Sequence, residues 1–168
     1  MSLAWRVEPL QKNHERGAFA CGHAALDRYL QHQARQDAQS QVAAVFVAVT
    51  PPERLVVGYF SLSASSIHAA DLPPDMVKKL PRCPHLPVIL LGRLAIHQPF
   101  KGQGLGQFLL LDALHRSWQA ASVIAAMAVV VDAKDAAAIG FYQRFGFLPL
   151  STSAGRMFLP MKTVAALF

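Results

Sequence analysis

An apolar strand that runs into a glycine-opened helix constrains this chain more than any other feature. Leu90-Leu-Gly-Arg-Leu-Ala-Ile96 is almost wholly apolar, and His97-Gln-Pro-Phe100 breaks it. Lys101-Gly-Gln-Gly-Leu-Gly106 then opens the apolar run Gln107-Phe-Leu-Leu-Leu111. The first run suits a central strand covered on both faces. Backbone N–H groups at a helix start have no intrahelical acceptor, so the turn predicts a socket for phosphate. Gly102, Gly104 and Gly106 permit the close approach and positive φ that such a socket asks for. A second landmark follows at Ala138-Ile-Gly-Phe-Tyr-Gln-Arg-Phe-Gly-Phe147.

The surrounding pattern predicts a mixed α/β sheet. Trp5–Pro9 reads as a first strand. Leu26, Leu30, Ala34 and Ala38 repeat every four residues among polar positions, which predicts a helix. Gln41–Thr50 and Leu55–Ala64 read as a hairpin about Pro51-Pro-Glu-Arg54. Ile67–Leu86 is proline-rich and reads as irregular, with one short helix starting near Asp71-Leu-Pro-Pro-Asp75. Val88–Ile96 is the central strand. Gly104 to about Ser122 reads as a helix burying Leu105, Phe108, Leu109, Leu111, Leu114 and Trp118. Ala126–Val131 is a further buried strand. Asp135 is placed to cap a helix running to about Phe145, with Gly146 as its stop. Phe147–Leu150 and Arg156–Met161 read as closing strands. No internal repeat or second domain is visible, so residues 1–168 are read as one domain.

Composition narrows the class. With 53% hydrophobic and 15% charged residues in 168, the chain has the makeup of a compact globular protein. No apolar run reaches the length of a membrane span. The first residues lack a basic segment followed by an apolar core, so the chain is expected to remain in the cytoplasm. Cys21 and Cys83 lie far apart without metal-ligand spacing and read as free thiols, with no metal expected. A net charge of +6 favours an acidic partner, although it equally fits a mildly basic soluble enzyme.

At this point the chain resembles the GNAT superfamily of acyl-CoA N-acyltransferases. Lys101-Gly-Gln-Gly-Leu-Gly106 is similar to that superfamily's pyrophosphate loop, with Lys101 where Arg or Gln is usual. Phe141-Tyr-Gln-Arg-Phe-Gly-Phe147 resembles its Phe-Tyr-x-x-x-Gly-Phe segment. A dinucleotide-binding reading is weaker: Asp132 sits near the end of its strand, but the first half is hairpin-like and the Tyr142 segment would have no role. A Walker-type loop fails because no Lys-Ser/Thr follows the glycines.

The resemblance implies the GNAT fold, a single mixed and largely antiparallel sheet with splayed central strands, flanked by helices. It implies acetyl-CoA as cofactor, its pyrophosphate held by Lys101, Gly102, Gln103, Gly104, Leu105 and Gly106. Main-chain groups of Leu94, Ala95 and Ile96 would meet the pantetheine arm, and Asp135 stands where many relatives place a cofactor-contacting Asn. Tyr142 would be the general acid that protonates the departing thiolate; its plainer reading is an aromatic packed with Phe141 and Phe145. No Glu stands on the strand as a general base, and His97 is the nearest substitute. An acceptor amine with a pKa near 8 needs such a base less than a lysine near 10.4 does.

A narrower resemblance covers nearly the whole chain. Phe19-Ala-Cys-Gly-His-Ala-Ala-Leu-Asp-Arg-Tyr-Leu30 is similar to the opening of GNAT toxins of type II toxin–antitoxin modules, and Val57–Ala64, Pro87–Ala95 and Val131–Asp135 continue the match. Such toxins acetylate the α-amino group of aminoacyl-tRNA and are neutralised by a ribbon-helix-helix antitoxin. Arg28, Arg35, Lys78, Lys79, Arg82 and Arg93 are then the candidate tRNA contacts. Arg93 stands out, because a charge inside an apolar strand has to face a polar cleft or find a partner. A homodimer is an assembly the reading allows. The alternatives are an ordinary GNAT enzyme acting on a small amine, peptide or protein, and an inactive coenzyme A-binding member; Tyr142 argues against the last.

Overall fold

The computed structural model describes residues 5–52, 54–80, 84–150 and 155–168. Its strands are β1 (Arg6–Pro9), β2 (Ala44–Val49), β3 (Val56–His68), β4 (His85–Ile96), β5 (Ala128–Asp132), β6 (Leu148–Pro149) and β7 (Arg156–Pro160). They form one seven-stranded sheet in the order β1-β2-β3-β4-β5-β7-β6. The pairs β1–β2, β2–β3, β5–β7 and β6–β7 are antiparallel, and β4–β5 is parallel. The His97 amide donates to the Val57 carbonyl at 2.9 Å, and a Cβ on Gly92 would meet Ser61. Rising numbers on β4 thus face falling numbers on β3, which makes that pair antiparallel too. The β4–β5 ladder joins Ile89–Leu91 to Val129–Val131 and stops there. Gly92–Ile96 carry on with one edge outside it.

The helices are α1 (Ala24–Arg28), α2 (Ala34–Gln39), α3 (Pro74–Val77), α4 (Leu105–Ala121), α5 (Ala136–Arg144) and α6 (Met161–Ala165). Between α1 and α2 the chain makes a wide π turn, Tyr29–Gln33. A spacing of four residues overshoots a 3.6-residue turn by roughly 40° at each step. The π turn absorbs part of that drift, and Leu26, Leu30 and Ala34 are all buried.

Two compact units emerge. One comprises Met1–Ser63 with Gly92–Ala113, the other Ala64–Leu91 with Leu114–Phe168. In the first, Phe19, Leu26, Tyr29, Leu30 and Ala34 pack with Val45, Val47, Val49, Tyr59 and Ala95. There Tyr59 donates its hydroxyl to the Leu26 carbonyl at 2.8 Å, which gives a deeply buried phenol its acceptor. In the second, Ile67, Leu72, Leu86 and Val88 pack with Ala128, Val130, Leu150 and Phe158.

Several expectations need correction. β3 continues to His68, so Ile67 and His68 are strand rather than irregular. The short helix does start within the expected stretch, at Pro74, a residue that suits a first helical turn because it lacks the N–H that would go unpaired there. α4 buries Leu105, Leu109, Leu110, Ala113, Leu114 and Ser117, while Phe108 is 38% exposed. Leu111 and Trp118 are only half-buried. Met161 begins a helix instead of ending a strand. Arg82, Cys83, Glu53 of the expected hairpin turn and residues 151–154 lie outside the described residues.

Gly155 takes φ +81°, and a Cβ there would lie 2.5 Å from the Ala133 carbonyl oxygen. Gly155→Ala is expected to cost about 2 kcal/mol and to lower Tm by about 5 °C in a chain of this size. Thermal unfolding followed by circular dichroism measures it; an unchanged Tm would contradict the close approach.

Candidate active site

The loop after β4 lifts the chain into α4 through Gly102 at φ +79° and Gly104 at φ +83°. A Cβ on either glycine would meet nothing within 4 Å, so the turn faces open space. Among the described residues no backbone carbonyl takes up the amides of Gln103, Gly104, Leu105 or Gly106. Open amides at the start of a 17-residue helix, without a side chain in front of them, fit an anionic diphosphate.

Beside this turn, Leu94, Ala95 and Ile96 line a pocket of about 190 Å³ together with Cys21, His23, Leu26 and Lys101. This is the stretch of β4 beyond the β5 ladder, whose free edge can take amide groups as an added strand would. The residues present therefore fit the diphosphate and amide arm of coenzyme A.

Residues from Phe19 to His23 are strapped to the loop below them. The Gln98 amide donates to the Ala20 carbonyl at 2.8 Å, and Lys101 Nζ donates to the Cys21 carbonyl at 2.6 Å. Lys101 thus neighbours the amide turn as expected, but its ammonium is held by this carbonyl. His97 Nδ1 lies 3.1 Å from the Ala20 nitrogen and 3.2 Å from its oxygen, and the ring stacks on Phe19. Whichever tautomer it adopts, His97 secures the strap. Burial pushes the Cys21 thiol up, and its hydrogen-bond link to Asp27 adds to this, so it stays protonated. Cys21, His23 and Leu26 were not among the expected site residues. Only their place in the opening motif pointed to them.

In the second unit, Tyr142 lies on α5 and is 7% exposed. Its ring packs edge-on against Phe141 at 5.2 Å and Phe147 at 5.3 Å, rather than against Phe145. Among the described residues its hydroxyl has no hydrogen-bond partner. Burial pushes its pKa up to about 12, so the phenol is fully protonated at neutral pH. Asp135 caps the same helix by accepting from the Ala138 amide at 2.8 Å. That is worth about 1 kcal/mol and orients the turn before Tyr142.

Of the basic candidates, Arg28, Lys78 and Lys79 are exposed and Arg35 is half-buried. Arg16, unremarked in the sequence, donates to the Leu30 carbonyl at 3.1 Å. Burial, then the nearby charge of Arg35, lowers its pKa. Arg93 is half-buried, and its guanidinium lies 3.4 Å above the centre of the Tyr29 ring. The partner of this strand charge is an aromatic face.

Comparison with known proteins matches residues 41–149 to an acetyltransferase (GNAT) domain. A probable toxin TacT of Sinorhizobium fredii is 30% identical over 96% of this chain and 93% of its own length. A tRNA-acetylating toxin of Mycobacterium tuberculosis is 36% identical over 89% of this chain and 88% of its own. The AtaT toxin complexed with acetyl-methionyl-tRNAfMet superposes with a TM-score of 0.92 at 29% identity, covering 98% of this chain and 99% of that one. An AtaT variant bound to the C-terminus of the antitoxin AtaR and acetyl-CoA superposes at 0.83 with 26% identity, covering 98% of each. The chain belongs to the GNAT acetyltransferase family and is an acetyl-CoA-dependent N-acetyltransferase.

Proposed function

We propose that this protein is a toxin that moves the acetyl group of acetyl-CoA onto the α-amino group of an aminoacyl-tRNA. One observation carries the reading: the likeness to a tRNA-acetylating toxin, and to a toxin complexed with acetyl-methionyl-tRNAfMet, runs along most of the chain, well beyond the coenzyme-binding turn. A blocked α-amine cannot form the next peptide bond, so the product would stall translation. The 168 residues serve as one catalytic domain.

In this reading the amides of Gln103, Gly104, Leu105 and Gly106, with Gly102 and Lys101 beside them, hold the pyrophosphate. Lys101 would turn from the Cys21 carbonyl to the phosphates. Main-chain groups of Leu94, Ala95 and Ile96 hold the pantetheine arm and present the thioester. Tyr142 donates its proton to the coenzyme A sulfur as the C–S bond breaks. Asp135 acts through its helix cap. Arg93, Arg28, Arg35, Lys78, Lys79 and Arg82 contact the tRNA.

A ribbon-helix-helix antitoxin is the proposed neutralising partner, and a homodimer the proposed assembly. No helix among the described residues is long and apolar enough to cross a membrane. The test is expression in a bacterial host: growth should stop with the native chain and continue with Tyr142→Phe. Uninhibited growth at high expression would favour an ordinary acetyltransferase of small amines.

The pH profile follows from the absence of a base. β4 carries no carboxylate, and His97 spends its Nδ1 on Ala20. Proton loss from the acceptor ammonium, whose ordinary pKa is near 8, then limits the reaction. kcat/KM should rise about tenfold per pH unit below that pKa and then flatten. Because Tyr142 is pushed up to about 12, it should impose no fall below pH 10. A second acidic limb in the profile would reveal a base this reading lacks.

A further inference from the structure

Arg93 carries an arrangement that the coenzyme chemistry does not use. Its guanidinium carbon lies 3.4 Å from the centre of the Tyr29 ring, a separation too short for anything but face-on stacking; the residue is half-buried, and among the described residues no oxygen accepts from it. Asp37 would be its natural ion partner, since the charge of Arg93 is felt there. Instead, the Asp37 oxygens accept from other groups, Oδ2 from the Tyr29 hydroxyl at 2.9 Å and Oδ1 from Gln33 Nε2 at 2.9 Å. The hydroxyl bond fixes the ring, and the ring fixes the plane of the guanidinium. Tyr29 and Gln33 are the first and last residues of the π turn, a geometry that recurs at functional sites.

A half-buried cation without an acceptor costs stability that an apolar residue would not. The stack covers one face and leaves the in-plane N–H donors free. A fork so oriented suits a group offering two oxygens together, a phosphate above all. We propose that Tyr29, anchored by Asp37, presets Arg93 as a planar fork for a phosphate of the acceptor's polynucleotide strand, so that Tyr29 and Asp37 are positioning residues. The inference rests on the aminoacyl-tRNA reading.

The test is steady-state acetylation of charged tRNA by the full chain as Tyr29→Phe, Asp37→Ala, their double variant and Arg93→Gln. Tyr29→Phe and Asp37→Ala remove the same hydrogen bond without emptying the core. Each should raise KM for charged tRNA about fivefold, with kcat and KM for acetyl-CoA within about twofold, and the double variant should be no worse than either alone. Arg93→Gln should raise that KM about tenfold or more. It should also flatten the plot of log kcat/KM against log salt by about one unit, as loss of one phosphate contact does. Multiplying effects in the double variant, equal losses toward acetyl-CoA, or an unchanged salt slope would overturn the inference alone. No transfer to any charged tRNA by the native chain would overturn the acceptor reading and this inference with it.

Discussion

Tyr142→Phe is expected to lower turnover by about a hundredfold or more while acetyl-CoA binds as before. The substitution is clean for physical reasons. The ring is buried against Phe141 and Phe147, and phenylalanine keeps both contacts. The lost hydroxyl has no partner among the described residues, so its removal strands no donor or acceptor. Stability should therefore hold, and the fall in rate reports proton transfer alone. In the proposed role, a phenol near pKa 12 would give up its proton uphill to a thiolate whose ordinary pKa is about 8.5. Such an acid would act only as negative charge builds on sulfur, with the proton moving together with bond cleavage. Release of free thiol at saturating substrates, paired with calorimetric binding of acetyl-CoA, separates the two effects. Unchanged turnover would remove Tyr142 from the chemistry.

Gly104→Asp should raise the dissociation constant for acetyl-CoA on the order of a hundredfold, from charge repulsion at close range in a partly screened site. The glycine sits at φ +83°, where any side chain is strained by about 1–3 kcal/mol. Space is not the obstacle, since nothing lies within 4 Å of the added Cβ. A carboxylate at a helix N-terminus even favours the helix, which limits the cost to the fold. Its cost to the ligand would be direct, because it would occupy the proposed amide socket with the same sign of charge as the diphosphate. Gly104→Ala, which has the strain without the charge, should lose only a few-fold. Equal affinity in the native chain and Gly104→Asp, by isothermal titration, would take the glycine turn out of the coenzyme site.

What could be read from the sequence was what local chemistry decides. The amide turn at Gly102–Gly106 and the Asp135 cap with its Gly146 stop are set by neighbours a few residues away, and the structure has all of them. The sheet class followed from the order of strand and helix patterns. Ties across long separations were not legible. Lys101 and Cys21 are 80 residues apart, and nothing in either segment says that the ammonium seeks that carbonyl. Arg93 was identifiable as anomalous from its apolar neighbours, but its aromatic partner is set by how the π turn packs on the sheet. Phe108 was misassigned because helical spacing defines a stripe without saying where its boundary meets solvent; the phenyl ring instead leans on Trp5 at the surface.

The most direct test of the account is incubation of the purified protein with acetyl-labelled acetyl-CoA and total charged tRNA, followed by nuclease digestion and mass spectrometry of the aminoacyl adenosines. The label is expected on the α-nitrogen of one or more aminoacyl-adenosines, and should appear about a hundredfold more slowly or worse with Tyr142→Phe. Label found only on protein lysines or small amines, with every aminoacyl α-amine unmodified, would contradict it.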